Sequence, residues 1–557
     1  MDVDASVDGD GETQLFVVSG ASLTLNNVQL TNGVSGYGGA AINAVSSVLV
    51  LQNTVFRGNT GRGSNGGAIH VDGCAVSFSG ETVLSDNYAN AGASIYITGQ
   101  TSVVSWRGVS TLFNNTCGGY GCAVYADNGG RISWSGETTF ELNTSLYGAG
   151  CTVNAQNAVN ASWSGRVAFM RNSDFAHTGT VLALNSSTLT FVRETSFTNY
   201  TGAVLLNTST CVWQGKTSFS SNIPINAMGG GALYSIDSNV CWSGEMHFTN
   251  NTAYSAGGAL NIVGSEVSWS GKTYFTRNMA NSAGDAISMS DSDMTLGGET
   301  IFSLNVALGE GGAISGDGAD SVVRLVLDFF TNFDGNRLNA NGGALALGGN
   351  LEVSSGANME QTVTFMRNSA TYLGGAMYLS TQGLNWTAAI FGRNTASVGR
   401  AVYSLASGTY IDVWRRFAVS YGGFSFRDNI ATVSRGAVGS VAGYDVFFNT
   451  IFVNNTAGSG GGAMLTDTAE FYRYDFFMNM AYDEAPAVLS IGRLRKISNA
   501  LFASNVLLCA SETFLDCVQV SGVGTMGESS SVVRYVFLPY CFACITPLPS
   551  VEPGTTP

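Results

Sequence analysis

The sequence predicts an all-β fold, a three-sided parallel β-helix solenoid of roughly 17 three-strand coils, and three observations carry that expectation. A phenylalanine followed three residues later by asparagine recurs along the chain with a mean period of about 28 residues. In many repeats a tryptophan stands six residues before that phenylalanine, as Trp242 does before Phe248. Gly-Gly-Ala follows the asparagine by about eight residues in many of the repeats.

The Phe-x-x-Asn motif runs from Phe56/Asn59 to Phe502/Asn505, with Phe248/Asn251, Phe275/Asn278 and Phe302/Asn305 as its most regular members. Leu84 and Leu112 take the aromatic place in two repeats, and Phe197 is followed by Tyr200 instead of asparagine. Each repeat holds three segments of four to seven residues, too short for helices and alternating in polarity, as in Val267-Ser268-Trp269-Ser270. Glycine at this density would cost about 1 kcal/mol at each helical site, which disfavours a helical repeat. Propeller blades need roughly 40–45 residues each. One turn of a three-sided solenoid fits the period, with equivalent residues about 4.8 Å apart on successive coils.

Each motif then has a physical task. The phenylalanine is expected to point inward and stack on its equivalents. The tryptophan forms a second column, facing either the interior or the outside. The asparagine suits a turn, where it tolerates the left-handed conformation, and stacked carboxamides can bond coil to coil. Gly-Gly supplies positive φ at a corner, and the following alanine fits a crowded interior.

Composition narrows the function. The 557 residues carry a formal charge of −15, and only 11% are charged. That balance excludes a basic nucleic-acid surface. The 71 glycines lack a three-residue period, and 7 prolines are too few for collagen. No apolar run reaches about 18 residues, so no transmembrane segment is expected.

Gly-Gly-Ala-Ile/Leu paired with Phe-x-x-Asn resembles the repeats of chlamydial polymorphic outer membrane proteins, which are surface adhesins. Asp8-Gly-Asp-Gly and the text from Ser19 to Gly33 resemble the opening coils of right-handed parallel β-helix proteins of the pectin-lyase-like class. The resemblance covers about residues 8–510 and implies a right-handed solenoid on an extracellular or cell-surface protein. Residues 1–33 read as an incomplete N-terminal coil, 34–510 as the array, and 511–557 as a Cys-containing, Pro-rich tail or linker. No signal-peptide pattern follows Met1, no amphipathic cap closes either end, and no membrane barrel fits after Phe502. The chain is therefore expected to be part of a larger surface protein.

No motif of known catalytic chemistry stands in the sequence. The Asn-Thr-Asp, Asp-Asp, Gly-His-Gly and Arg-x-Lys segments of the hydrolases of this class do not occur, and His70, His177 and His247 share no motif. No catalytic residue and no cofactor are assigned. Weak Ca²⁺ candidates are Asp8 and Asp10, which read more simply as a turn, and Asp291 and Asp293 near Asp285, which read as a solvated face. Arg415-Arg416 falls in the longest interval between motifs and marks an inserted loop, and Arg493, Arg495 and Lys496 form the other basic cluster.

The 10 cysteines suggest an oxidising compartment. Cys122 and Cys151 each precede a motif tryptophan by twelve residues and should stack within disulfide range, with Cys117 a rival partner for Cys122. Cys211 and Cys241 are out of phase by one residue and should face opposite ways. Cys509/Cys517 and Cys541/Cys544 lie in the tail, where the CxxC lacks a second ligand pair for zinc. Asn-x-Ser/Thr sequons such as Asn114, Asn143 and Asn250 occur at about the chance frequency and would be glycan acceptors on a secretory route.

The expectation is a secreted or surface-displayed structural and adhesive rod that presents an extended binding face to glycans or protein partners. The alternative is a polysaccharide-active enzyme of the same fold.

Overall fold

The computed structural model describes residues 4–507 except 148–151, 175–179, 200–202, 225–228, 285, 310, 318–321, 328–330, 348–349, 356–362, 380–388, 400, 405–423, 435, 441–443, 459–461, 482–487 and 504–505. Cys151, His177, Tyr200, Asp285, the Arg415-Arg416 pair and the 511–557 tail with its cysteines lie outside the described residues.

Every described element is a strand, and the strands pair in parallel, coil on coil. Each coil of the regular part has three of them. The first face follows Gly-Gly-Ala (Leu260–Val263), the second ends at the tryptophan (Glu266–Trp269), and the third holds the phenylalanine (Thr273–Thr276). The molecule is a parallel β-solenoid.

Register follows the motif. The phenylalanine position can be traced strand to strand from Leu30 through Phe56, Leu84, Leu112 and Phe140. It continues through Phe248, Phe275 and Phe302, and on to Phe452, Phe476 and Phe502. The rings of Phe248, Phe275 and Phe302 lie 4.8 Å apart and nearly parallel, and all three are fully buried. That spacing is the coil rise, so one inward aromatic per coil builds a continuous column.

The tryptophan column also faces inward. Phe78, Trp106, Trp134, Trp163, Phe191 and Trp213 share one register, and their side chains are buried. Second- and third-face side chains therefore meet edge to face, as Trp163 does with Phe169 at 6.5 Å.

The asparagine column is the polar spine. Asn278 Oδ1 accepts from the backbone N–H and from Nδ2 of Asn251 (3.1 and 3.0 Å). Asn278 Nδ2 donates to Asn305 Oδ1 (3.1 Å) and to the Phe248 carbonyl one coil back (3.0 Å). The same pattern runs from Asn59 to Asn172 and from Asn222 to Asn479. Buried amides bonded at every polar atom impose no desolvation penalty and fix each coil on the next.

The left-handed conformation expected at this asparagine belongs to the residue before it. Asn250 (φ 55°), Arg277 (φ 54°) and Leu304 (φ 56°) take it. The carboxamide is occupied by the column, so the reversal of the chain falls one position earlier. The two glycines of Gly-Gly-Ala also divide the work. Gly257 has φ +68°, whereas a Cβ on Gly312 would overlap the Gly343 carbonyl of the next coil.

After the asparagine, two-residue strands such as Thr252–Ala253 form a narrow fourth strip. This strip is two separate sheets, one ending at Ser173–Asp174 and one starting at Thr252–Ala253. Between these two sheets the sequence carries Tyr200 in the motif place of asparagine. Asn222 Oδ1, which would receive an asparagine from that coil, is buried without a partner.

Candidate binding face

The repeated residues face inward, so any ligand must be met by residues that vary. In most coils two residues join the first face to the second, as Asp237-Ser238 do between Ile236 and Asn239. Three successive coils depart from this. Gly99–Ser102 separate Thr98 from Val103, 127–130 separate Ala126 from Arg131, and 157–159 separate Gln156 from Asn160. The strands on both sides keep register, so the extra residues are pushed outward.

An open groove of about 510 Å³ results, lined by Gln100, Asn128, Gly129, Asn157, Ala158 and Ser186. Asn128, Asn157, Ala158 and Ser186 have φ of 59°, 57°, 66° and 49°, the left-handed corner that Ser46, Thr208 and Asp237 also take in regular coils. The side chains are preorganised. Asp127 Oδ1 accepts from Asn157 Nδ2 and from the Asn128 N–H, both at 2.7 Å. Asn128 Nδ2 lies 3.4 Å from Thr98 Oγ1.

Beside the groove, the outward row of the first face carries a stack of rings. His70, Tyr96 and Tyr125 lie 5.2 and 5.1 Å apart. His70 Nδ1 donates to Asn43 Oδ1 at 3.0 Å. Burial holds the His70 pKa below its ordinary value, and Asp72 opposes that shift. Burial, then Asp127, pushes the Tyr125 phenol up to about 12. These rings are neutral near pH 7 and form a stiff wall.

The opposite margin of the first face is the loop edge between the asparagine and Gly-Gly-Ala. Its tips expose Tyr37 (94%), Tyr147 (81%), Tyr254 (55%) and Tyr372 (59%). The surrounding text is Gly, Ser, Ala and Asn, as in Thr252-Ala-Tyr-Ser-Ala-Gly-Gly258. Tyrosine set among small polar residues offers large, rigid contact area at low entropic cost.

A disulfide fixes one of these loops. Cys117 and Cys122 are bonded, with Cα atoms 4.9 Å apart, and enclose Tyr120. This corrects the expected Cys122–Cys151 bridge. The corner turns Cys117 and Cys122 into one small buried cluster with Ala89 and Ala93, so the partner is five residues away and not one coil away. Cys74, Cys211 and Cys241 are free thiols; Cys211 pairs in register with Val240 and Cys241 with Val212, and burial raises both pKa values.

The remaining candidates fall elsewhere. Asp8 accepts from the Asp10 N–H (2.9 Å) and from Asn32 Nδ2 (3.1 Å), which hold its carboxyl below the usual carboxylate range. Asp10 has φ 53°, so the pair forms a turn. Asp291 occupies a left-handed corner and Asp293 is exposed on the adjoining strand beside Glu266. Among the described residues no group of three His, Cys, Asp or Glu side chains is placed to hold a metal. His247 lies on the third face, 2.5 Å from Glu245 Oε1 and 4.8 Å from the Tyr274 ring.

Glu245 belongs to a feature the sequence reading missed. Glu137, Arg166, Glu194, Lys216, Glu245, Lys272 and Glu299 stack at the corner before the third face, alternating in sign. Four pairs approach within 4 Å, from Lys272–Glu299 at 2.7 Å to Arg166–Glu137 at 3.8 Å. Exposed pairs of this kind contribute about 0–1 kcal/mol each. The signal was present as Glu or Lys/Arg following Ser-Gly in successive repeats.

Four of the sequons have a structural origin. Asn114, Asn199, Asn250 and Asn454 all occupy the left-handed corner, and a threonine of the two-residue strip follows two positions later for several of them. Asparagine is favoured at such a corner, so these sequons arise from geometry. Asn143 is fully buried in the column.

No protein-family model, curated protein or solved structure matches the chain. No helix among the described residues is long and apolar enough to cross a membrane.

Proposed function

We propose that the chain is a secreted or surface-displayed adhesive rod whose first face and flanking loop edge bind a glycan or protein partner. One observation carries this reading. The interior repeats faithfully, while one outer face combines an inserted groove and a ring stack in adjacent coils with exposed tyrosines spread along its other margin. Insertions on solenoids commonly map to the binding face, and exposed aromatics in small polar loops are contact residues. The likeness of the repeats to those of chlamydial polymorphic outer membrane proteins supports the same reading. The groove is lined by amides, a hydroxyl, glycine and alanine, groups that bind and orient but do not transfer protons near pH 7.

The test is adhesion of the purified full chain to cells and to glycan and protein arrays, with Tyr37→Ser/Tyr147→Ser/Tyr254→Ser as comparator. These side chains are exposed, so the variant keeps its melting temperature. Saturable binding that the variant loses supports the rod. Release of reducing or unsaturated sugar ends from a polysaccharide would establish the enzyme alternative and end this proposal.

A further inference from the structure

We infer that the groove at Gln100, Asn128, Asn157 and Ser186 is a subsite for an uncharged hexose-based glycan. The inference rests on the adhesive reading and names the ligand of one part of that face.

The chemistry of the lining selects the ligand. Gln100, Asn128 and Asn157 each offer a paired donor and acceptor, and Ser186 adds a hydroxyl. Vicinal hydroxyls present the same alternation of donor and acceptor at matching separation. Asn185, Gln156 and Thr98 extend the polar rim along the last outward position of the first face. Between the amides lie Gly129 and Ala158, flat and apolar enough to receive the C–H face of a sugar ring. The groove is open, so it admits a chain running across it.

Charge excludes the acidic relatives of such a ligand. The carboxylates beside the groove are Asp72 and Asp127, and the nearest cation on the adjoining strands is the exposed Arg131. Asp127 accepts from the Asn128 backbone N–H and from Asn157 Nδ2, so a carboxylate stands directly behind an amide that would contact the ligand. A uronate would meet a carboxylate across one amide, which disfavours it. The Cys117–Cys122 bridge and the His70–Tyr96–Tyr125 wall hold the same coils rigid, which lowers the ordering cost of binding.

The experiment is calorimetric titration of the full chain with neutral hexaoses of glucose, mannose and galactose, and with hexagalacturonate. At least one neutral hexaose should bind, and Gln100→Ala/Asn157→Gly should weaken it at least about tenfold, since each lost amide pair is worth roughly 1 kcal/mol. Glycine keeps the left-handed backbone at position 157, so the variant folds, as an unchanged melting temperature would verify. Lys272→Ser, at the charged corner before the third face, should leave this affinity unchanged. Failure of every neutral hexaose at millimolar concentration, tighter binding of hexagalacturonate, or equal binding by the double variant overturns the subsite. If the chain still adheres through the tyrosine edge, only the subsite falls; if adhesion is also absent, the adhesive reading falls with it.

Discussion

Residues 69–187 and 233–305 are built from one repeat and differ in how strictly they keep it. In the second block the indole of Trp242 donates to Thr273 Oγ1 at 2.9 Å, and that of Trp269 to Thr300 Oγ1 at 2.8 Å. In the first block Trp106, Trp134 and Trp163 bury their Nε1–H without a partner. For Trp134 the reason is in the sequence: the position that holds Thr273 for Trp242 holds Val167. Trp106 has Thr138 in that place, yet both groups are unpaired. The first block also carries the inserted corners and the disulfide. Local rules are broken where a surface has been shaped, and the regular block supplies the stability against which those departures are tolerated.

The contrast can be broken most sharply in the regular block. Asn278→Ala removes four hydrogen bonds and leaves the Asn251 N–H buried without its acceptor. A loss of about 3 kcal/mol or more is expected from the urea midpoint. A loss below about 1 kcal/mol would mean the column is ornamental.

Next in size is a reciprocal pair. Thr273→Val orphans the Trp242 indole and should cost about 1–3 kcal/mol, whereas Val167→Thr, placed like the unpaired Thr138, should change stability by less than about 1 kcal/mol. If both changes destabilise equally, the two blocks do not differ in the way described. At the junction, Tyr200→Asn supplies the motif asparagine that the sequence lacks there and, if it bonds the unpartnered Asn222 Oδ1, should raise stability by about 1 kcal/mol in the same assay. No gain there would assign the break to backbone geometry.

The smallest effect is a pH dependence confined to the first block. His70 has a lowered pKa in the folded chain, so the unfolded chain binds its proton more tightly. Its contribution is fully present above about pH 6.5 and declines as pH falls below that value. The decline should vanish in His70→Phe when midpoints at pH 7.5 and pH 5 are compared.

Much of the architecture was readable because every coil touches equivalents of itself. A Phe-x-x-Asn at fixed phase specifies its own contact, and Phe248, Phe275 and Phe302 stack as that phase requires. The candidate site was less readable. Its signal existed as spacing, since Ile95 stands eleven residues before Trp106 whereas Leu260 stands nine before Trp269. A motif search that tolerates such offsets treats them as noise. The His70, Tyr96 and Tyr125 positions share no sequence motif, and only strand register aligns them.

The amino-acid order alone determined the period, the parallel stacking and the aromatic and amide interior, because neighbour-on-neighbour packing turns a linear repeat into a spatial one. Only the tertiary structure decided which residue takes the left-handed corner, that the tryptophans face inward, that Cys122 bonds Cys117, and where a groove opens. Those outcomes depend on how the chain moves where it leaves the period. There the energy is set by contacts across corners, between side chains that no repeat relates.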